Sequence, residues 1–416
     1  MTRQQAGSAT APRRGGARRE RRAVVVVGGG PAGAATAIWL ARGGHDVLLV
    51  ERSPSWHWRA CGVFASPAAV DELRRLGIDE PTIARIARSI AAMRVEAPGS
   101  AAVRLTYGAE RHPGATAVGF DRAALDDALL AAASEAGVEV RRGTTMRRVD
   151  PPVVVLGGEQ PGDEGQSGDE GQSGDEAAVE AAVIVGADGI RSLVARSVGV
   201  ARRPLLRRTA LTYHVPLPAD WGTDARMVVS DAAYCGLAPV PGDRLNVGIV
   251  VGGAWLRALR ADGAAAVAAS VDPTGLPTCD RIEGAAPVGH RVGRRAGEGW
   301  LLVGDAAGFL DPFTGEGIHR ALVSARLAAT AIDRRLSRRA FDLADYERRM
   351  HGRFAAKDVV SVVVQGFLAR PGLFGHAARR LAARDRLRET MSDVMGDLVP
   401  ATRALDPRFL AALVRP

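Results

Sequence analysis

The sequence predicts an α/β protein in which a nucleotide-binding domain, split along the chain, carries an antiparallel β-sheet domain and a C-terminal helical segment. The first observation is an apolar run at 23–27 that leads into a glycine-rich turn and an apolar helical pattern. The second is the stretch 207–253, where short strand-like runs alternate with Pro, Gly and Asp turns. The third is the stretch after Ile318, where apolar positions recur at helical spacing.

The composition is that of a soluble globular enzyme. The chain has 416 residues, enough for two or three domains, and is 47% hydrophobic. Cys61, Cys235 and Cys279 are too few and too scattered for a disulfide framework or a zinc site, so we expect no metal. This cysteine content fits a reducing, cytoplasmic location. No apolar run reaches the roughly 18 residues that a membrane-spanning helix needs.

The beginning of the chain is strongly basic. The net charge is +9, and residues 1–22 hold seven arginines among Pro, Gly and Ser. We expect a disordered tail, either a solvated leader or the product of a misassigned start codon, with phosphate binding as the alternative. Arg21-Arg22 resembles a twin-arginine export signal, but three glycines and a proline interrupt the apolar stretch behind it. No recognition helix or aromatic–basic platform accompanies the tail, so we expect no nucleic-acid partner.

The glycine-rich turn has the spacing of a dinucleotide-binding site. Gly28, Gly30 and Gly33 form G-x-G-x-x-G between a strand-like run and a helical pattern. These glycines allow a tight turn, a close backbone approach to a pyrophosphate, and close helix–strand packing. Glu51 ends the next strand-like run, where a carboxylate accepts hydrogen bonds from a ribose and disfavours the 2′-phosphate of NADP. The sequence therefore predicts a Rossmann-like site for NAD or FAD.

Two further strand–turn elements favour FAD over NAD. Residues 179–199 pass from an apolar strand through Asp188-Gly189 into a short helix. The run "WLLV" ends in Gly304-Asp305. A bare NAD site has no need of three such elements, whereas a cofactor with a ribityl chain and a three-ring head must be held along its whole length.

From residue 23 to about 335 the chain resembles the flavoprotein superfamily of para-hydroxybenzoate hydroxylase-like aromatic hydroxylases and geranylgeranyl reductases. The resemblance implies that Arg122 lies near the pyrophosphate, that Asp188 belongs to the middle Asp-Gly motif, and that Asp305 holds a ribityl hydroxyl. The family often has an arginine three residues after Ser192, where this chain has Ala195, with Arg196 one residue later. The implied cofactor-binding residues are Gly28, Gly30, Pro31, Ala32, Gly33, Glu51, Arg52, Arg122, Asp188, Gly304, Asp305, Pro312, Gly315, Gly317 and Ile318.

Within this superfamily the sequence favours the reductase branch. Hydroxylases usually carry a histidine where this chain has Gly308, and a Gly-Gln-Gly turn where it has "TGEGI". Cys61-Gly62 resembles the reductases' Cys-Gly segment beside the flavin, and makes Cys61 the one catalytic candidate. The alternative for Cys61 is a small buried apolar residue. The stretch "AAYCGLAPVPGDRLNVGIVV" resembles the reductases' hairpin over the substrate cavity, with Leu237 near the position of its usual tryptophan.

The resemblance implies an FAD-dependent oxidoreductase. We expect it to reduce a double bond of an isoprenoid, lipid-like or secondary metabolite, an apolar small molecule, with NAD(P)H as a transient reductant of the flavin. The alternative is a monooxygenase acting on an aromatic or polyketide substrate. A flavin halogenase fits less well, because "WHWRA" lacks the halogenase signature and Lys357 is the first lysine. A non-catalytic flavin-binding regulator is the remaining alternative.

The motifs divide the chain. A disordered tail is expected at 1–22, a discontinuous FAD-binding domain at 23–92, 108–205 and 286–335, and a substrate domain at 93–107 and 206–285. The tandem repeat "GDEGQS" marks a low-complexity loop at 157–177. A helical region at 336–416 packs on the core, covers the substrate site, or provides a subunit or peripheral membrane contact. The sequence does not predict an oligomeric state.

Overall fold

A computed structural model describes residues 20–56, 58, 62–99, 101–107, 112–158, 176–337 and 343–415. The strands are β1 Glu20–Val27, β2 Val47–Glu51, β3 Phe64–Ala65, β4 Ala87–Ile90, β5 Ala92–Ala97, β6 Ala101–Thr106, β7 Ala117–Phe120, β8 Glu139–Arg142, β9 Thr145–Asp150, β10 Val153–Gly157, β11 Ala177–Gly186, β12 Ala201–Arg202, β13 Thr209–Pro216, β14 Ala225–Ser230, β15 Ala233–Val240, β16 Arg244–Val251, β17 Glu283–Ala285, β18 Arg291–Val292, β19 Ala296–Gly297 and β20 Trp300–Leu302. The helices are α1 Pro31–Arg42, α2 Pro67–Arg75, α3 Glu80–Ile86, α4 Arg122–Glu135, α5 Leu193–Ser197, α6 Trp255–Ala261, α7 Gly263–Val271, α8 Gly317–Ser337, α9 Ala344–Leu368, α10 Pro371–Ala383, α11 Asp385–Met395 and α12 Pro407–Val414.

The nucleotide-binding part is built on a mixed sheet. Within the described ranges, eight strands form it, and its main path runs β19-β20-β11-β1-β2-β8. The central strands β20, β11, β1, β2 and β8 are parallel, while β10 pairs antiparallel with β11 and β9 pairs antiparallel with β10. Buried valine, isoleucine and leucine fill the central strands because helices or strands cover both faces.

The first strand begins earlier than the sequence suggests. β1 starts at Glu20, and Glu20 and Arg22 already pair with β11. The tail expected at 1–22 is therefore three residues too long, and residues 1–19 lie outside the described residues. Arg22 is tolerated in this central strand because its side chain pairs with Glu20, Asp46 and Glu139 near the beginning of the strand.

The low-complexity stretch connects two paired strands. β10 ends at Gly157 and β11 begins at Ala177, and the two strands run antiparallel. The predicted loop at 157–177 therefore connects neighbouring strands, and its ends belong to them. Residues 159–175, which contain the repeat, lie outside the described residues.

A second sheet forms the other layer. In the described part of the chain, its seven strands follow the order β17-β13-β16-β15-β14-β5-β6, antiparallel except for β14 and β5. One face packs against α6 and α7, and the opposite face packs against the C-terminal helices. The α/β class with an antiparallel sheet and C-terminal helices is confirmed, while the domain boundaries stay predictions. None of the described helices is long and apolar enough to span a membrane.

Candidate functional site

Three turns meet at the carboxyl edge of the parallel strands β1, β11 and β20. Gly28 has φ +107°, and a Cβ placed on it would lie 2.5 Å from the carbonyl oxygen of Ala187. Gly304 has φ +57°, and its Cβ would lie 2.7 Å from the Cβ of Ala32. The predicted motifs, far apart in sequence, therefore touch one another. This edge of a parallel sheet is where α/β proteins bind their ligands.

The start of α1 combines tight packing with open space. A Cβ on Gly33 would lie 1.9 Å from the carbonyl oxygen of Gly28, so only glycine lets the helix pack this close. A Cβ on Gly30, the residue before the helix, would meet no described atom within 4 Å. Pro31 begins the helix, and none of the described side chains caps it. The free N–H groups of its first turn make this end suitable for a phosphate.

Glu51 organises the glycine turn. Its buried side chain accepts hydrogen bonds from the backbone N–H of Gly29 at 2.7 Å and of Ser53 at 2.9 Å. The carboxylate therefore joins the end of β2 to the turn after β1. The next residue, Arg52, is exposed.

The middle motif orients a buried carboxylate. Asp188 Oδ2 accepts hydrogen bonds from Leu193 N at 2.6 Å and Val194 N at 3.1 Å, which fixes the start of α5. Its Oδ1 is buried and has no hydrogen-bond partner within the described ranges. Such an acceptor fits a hydroxyl or amide donor on a bound ligand. Arg196, by contrast, donates to the carbonyl of Arg191 at 2.8 Å on the surface.

Arg122 lies against a different segment. At the start of α4 it donates to the carbonyl of Gly62 at 2.7 Å and to Asp126 at 3.2 Å. It thus fixes the residue that follows Cys61. Cys61 itself lies outside the described residues.

The Asp305 carboxylate has no hydrogen-bond partner in the part of the chain that the structure describes. Among the described residues no donor reaches its side-chain oxygens, while its backbone carbonyl accepts from Gly308 N at 3.1 Å. Burial raises the pKa of Asp305 to about 6, although Arg122 and Arg320 oppose the shift. Gly304 donates its N–H to Ser324 Oγ of α8 at 2.9 Å, which holds the turn in place. A ligand hydroxyl would supply the missing donor.

The turn at 311–318 ends where α8 begins. Pro312 starts a short 3₁₀ turn, and Gly315 follows with φ +66°. A Cβ on Gly315 would lie 2.6 Å from Cδ1 of the Phe64 ring, so the left-handed backbone and the close ring both require glycine. Gly317 begins the 21-residue helix α8, and Ile318 is buried. The N-terminus of a long helix therefore faces this turn.

Asp311 connects this turn to the second sheet. Its buried carboxylate accepts hydrogen bonds from Tyr234 Oη at 2.6 Å, Arg208 Nη1 at 2.8 Å and Phe313 N at 3.1 Å. Tyr234 lies on β15, so the contact fixes the position of the turn relative to the sheet. Burial and the nearby Asp311 carboxylate raise the pKa of Tyr234 well above its usual value.

The face of the second sheet that carries Tyr234 also carries a glycine pair. Gly236 and Gly248 stand opposite each other on β15 and β16, and Thr212 stands opposite Gly248 on β13. Strand alternation puts Tyr234 and Gly236 on the same face. Thr212 is buried, and its hydroxyl has no hydrogen-bond partner among the described side chains and backbone. We call this surface the glycine floor; it lies beside the 311–318 turn.

At the far side of the glycine floor, His214 pairs with an aspartate, Asp280. His214 Nδ1 is 2.6 Å from Asp280 Oδ2, and the His214 ring centroid is 4.1 Å from that of Trp58. Burial lowers the pKa of His214, and Asp280 opposes this only in part. This pair is not predicted from the sequence. The only local signal was a lone histidine in an apolar strand, and its partner is 66 residues away.

An apolar cavity of about 90 Å³, partly open to solvent, lies between the second sheet and the C-terminal helices. Its lining is almost wholly apolar. Phe313 of the 311–318 turn contributes to its wall, so the cavity adjoins that turn. Its wall also includes Val95 and Leu105 from the sheet, Val364 and Phe367 from α9, and Leu413 from α12.

Comparison with known proteins agrees with this arrangement. Residues 21–220 match the family model described as FAD binding domain. Menaquinone reductase from Mycolicibacterium smegmatis is 31% identical over 325 residues, which cover 72% of this chain and 73% of that protein. Digeranylgeranylglycerophospholipid reductase 2 from Methanopyrus kandleri is 31% identical over 326 residues, with 72% and 73% covered.

A solved structure shares the fold at low identity. The geranylgeranyl bacteriochlorophyll reductase-like protein from Thermoplasma acidophilum superposes with a TM-score of 0.71 at 22% identity, over 95% of this chain and 96% of that one.

Proposed function

This chain belongs to the FAD-dependent oxidoreductases of the geranylgeranyl reductase and para-hydroxybenzoate hydroxylase-like superfamily, on the geranylgeranyl reductase branch, and on that premise we propose that it reduces a carbon–carbon double bond of an apolar, isoprenoid-like substrate. We also propose that NAD(P)H is the transient reductant of the flavin. The class of reaction is proposed from the similarity to menaquinone reductase and digeranylgeranylglycerophospholipid reductase. The substrate class rests on the cavity of this chain.

The apolar cavity beside the 311–318 turn carries this proposal. Its almost wholly apolar lining selects an apolar molecule. Because Phe313 belongs both to the turn and to the cavity wall, a chain lying in the cavity reaches the turn. Each buried methylene contributes about 0.8 kcal/mol, so a prenyl chain gains several kcal/mol there.

FAD is proposed to lie along the three turns at the carboxyl edge of the first sheet. The open space at Gly30 suits a pyrophosphate, and the unpartnered acceptors of Asp188 and Asp305 suit hydroxyl donors. When bound there, FAD supplies the hydride chemistry. The remaining roles are proposed as the resemblance implies: Glu51 and Arg52 near the ribose, Arg122 near the pyrophosphate, and the 311–318 turn at the ring.

The glycine floor is proposed to receive the reacting end of the substrate. Gly236 and Gly248 present backbone without side chains, with Met227 beside Gly236, while Thr212 and His214 offer polar groups on the same face. His214 is oriented by Asp280 through Nδ1 and packs at a tilt against Trp58, so its Nε2 is the atom proposed to contact a ligand. Water is excluded where Tyr234 and Asp311 join the turn to the sheet.

The halogenase alternative gains no support from the arrangement of Lys357. The ammonium group of this lysine is buried and donates to Val394 O at 2.7 Å and Asp397 at 2.9 Å. It is therefore engaged within the protein and does not face a substrate.

Product analysis with and without oxygen tests the reaction class. The purified protein with bound FAD is incubated with NADPH and panels of polyprenyl and polyketide compounds, and the products are analysed by mass spectrometry. A product that gains two hydrogens, formed also without oxygen, supports reduction. A product that gains an oxygen atom, formed only in air, identifies a monooxygenase and contradicts the proposal.

Filling the cavity tests the substrate class. Ala378 lines the cavity and is 3% exposed, so Ala378→Phe occupies space that a prenyl chain would use. We expect the KM for long prenyl substrates to rise at least ~10-fold, with FAD content unchanged, because several buried methylenes are displaced. The measurement is KM against chain length.

The matched control is Ala268→Phe. Ala268 is also 3% exposed but packs on the opposite face of the second sheet, away from the cavity. Equal KM values for both variants, at every chain length, would show that the cavity does not bind the substrate.

A further inference from the structure

A single buried carboxylate joins three parts of the molecule that are distant in sequence. Asp397, between α11 and α12, accepts hydrogen bonds from Ser66 Oγ at 2.9 Å and from Lys357 Nζ at 2.9 Å. Its other contact is with His319 Nδ1, 3.0 Å away. The Asp397 side chain is only 7% exposed, and its backbone has φ +57°, an unusual conformation for a residue other than glycine.

The lysine in this group is the only one in the chain. Lys357 lies on α9 and is 4% exposed. Besides Asp397, its Nζ donates to Val394 O at 2.7 Å and lies 3.9 Å from Glu316 Oε2. Glu316 in turn pairs with Arg320 at 3.2 Å. All of these groups are buried, so they form one network of charges inside the protein.

The network surrounds the 311–318 turn. Glu316 immediately precedes α8, and His319 lies in its first turn, so the two flank Gly317 and Ile318. Ser66 follows β3, whose Phe64 ring lies against Gly315. Asp397 therefore holds elements that contact this turn from both sides.

The same network includes the helices that line the apolar cavity. Lys357 is on α9, which provides Val364 and Phe367 to the cavity wall. Asp397 follows α11, which provides Met391 and Met395. A shift of these helices would therefore move the hydrogen-bond partners of Asp397 and, through them, the 311–318 turn.

Stability alone does not account for such a network. Buried ion pairs cost several kcal/mol of desolvation per ion, and well-packed apolar residues of the same volume are often as stabilising. Lys357 and His319 nevertheless hold the pKa of Asp397 well below its usual range, against the effect of burial. Lys357 and His319 therefore stabilise the charged form of Asp397. A role in fixing the positions of the connected elements explains why these charges are present.

We propose that Asp397 and Lys357 are positioning residues that set the 311–318 turn for flavin binding and couple it to the docking of the C-terminal helices. This inference rests on the proposed assignment of that turn to the flavin site. Coupling between two sites is reciprocal, so occupation of the cavity and FAD binding should strengthen each other.

Replacement of the lysine tests the positioning role. In the full chain, Lys357→Met keeps the apolar stem and removes the ammonium group that orients Asp397. We expect the Kd for FAD, measured by flavin fluorescence, to rise at least ~10-fold. The control is Arg326→Met, which breaks the paired hydrogen bonds of 3.0 Å between Arg326 and buried Glu72 elsewhere on α8. For this control we expect an unchanged Kd.

A double variant separates positioning from general stability. Lys357→Met combined with Asp397→Asn removes both charges and so avoids an unpaired buried carboxylate. If the double variant unfolds at the wild-type temperature but still binds FAD at least ~10-fold more weakly, positioning is supported. If it binds FAD as tightly as the wild type, the network is structural and the proposal is wrong.

The lone lysine also provides a direct readout of the coupling. The full-length protein is treated with an amine-reactive reagent, and modification of Lys357 is followed by mass spectrometry, with the N-terminal amine as an internal standard. We expect FAD to slow modification of Lys357 at least ~10-fold and to leave the standard unchanged. Equal rates with and without FAD contradict the coupling. Because binding and not turnover is measured, this result is independent of the proposed reduction reaction.

Discussion

At the scale of single residues, Asp305 carries an electrostatic cost that its proposed ligand would relieve. The carboxylate has no donor among the described residues, and burial raises its pKa to about 6. An acid whose pKa is raised in the folded state binds protons more tightly there than in the unfolded chain, where its pKa is about 3.9. The stability of the FAD-free protein therefore falls as the pH rises from about 4 to about 6.

Asp305→Asn should show how much the ionised Asp305 carboxylate destabilises the FAD-free protein. In FAD-free protein at pH 8 we expect the variant to be more stable than the wild type by about 2 kcal/mol, after allowance for partial exposure. The difference should vanish near pH 4, where the wild-type carboxyl is also protonated. Urea unfolding at several pH values measures it. The same variant should bind FAD at least ~10-fold more weakly, and undiminished affinity would refute the ribityl role of Asp305.

At the scale of elements, the turn between β1 and α1 contains two glycines with different roles. One is needed for packing, and the other is proposed to lie next to the cofactor. Gly33 is enclosed by the backbone of the turn, whereas Gly30 faces open space. Both are glycines of the same motif, and sequence alone assigns them similar weight. The structure gives them different physical tasks, because only one of the two missing side chains would collide with the protein itself.

The two glycines can be tested as a matched pair. Gly33→Ala places a methyl group 1.9 Å from a carbonyl oxygen, so we expect a loss of about 3 kcal/mol or more in unfolding free energy. Gly30→Ala should change stability by less than about 0.5 kcal/mol, because φ is −68° and space is free. Its methyl group should still weaken FAD binding at least ~10-fold. Thermal unfolding and FAD titration distinguish the two effects.

At the scale of the whole molecule, Asp311 joins the two sheets. It lies on the turn that follows the first sheet and receives hydrogen bonds from Tyr234 and Arg208 of the second-sheet side. The reacting groups of a flavin and a substrate must lie within a few ångströms of each other. A buried carboxylate between the sheets provides the necessary fixed distance.

Asp311→Ala should loosen this connection. It leaves Arg208 and the Tyr234 hydroxyl without their common partner, so we expect a loss of about 3–5 kcal/mol. Tyr234→Phe removes a single hydrogen bond and should cost about 1 kcal/mol. Urea unfolding monitored by tryptophan fluorescence measures both. Asp311→Ala within about 1 kcal/mol of the wild type would contradict this role.

Much of the nucleotide-binding half was predictable from sequence. At Gly28, Gly33 and Gly304 a Cβ would collide with neighbouring atoms, so these positions require glycine and can be recognised by their spacing in the sequence. Buried parallel strands leave equally local apolar runs. The start of β1 was predicted three residues late, because the charges of Arg22 are neutralised by residues that only the folded sheet brings near.

Contacts between segments that are distant in sequence produce no recognisable local sequence pattern. His214 pairs with Asp280, and Asp397 collects donors from three separate elements, at spacings that follow no local period. The apolar cavity likewise exists only between a sheet and helices that follow it much later in the chain. The sequence by itself determined the cofactor class and predicted the turns for it, because backbone geometry restricts residue type locally. The tertiary structure alone decided which charges meet and where the apolar cavity lies, because packing between elements sets those distances.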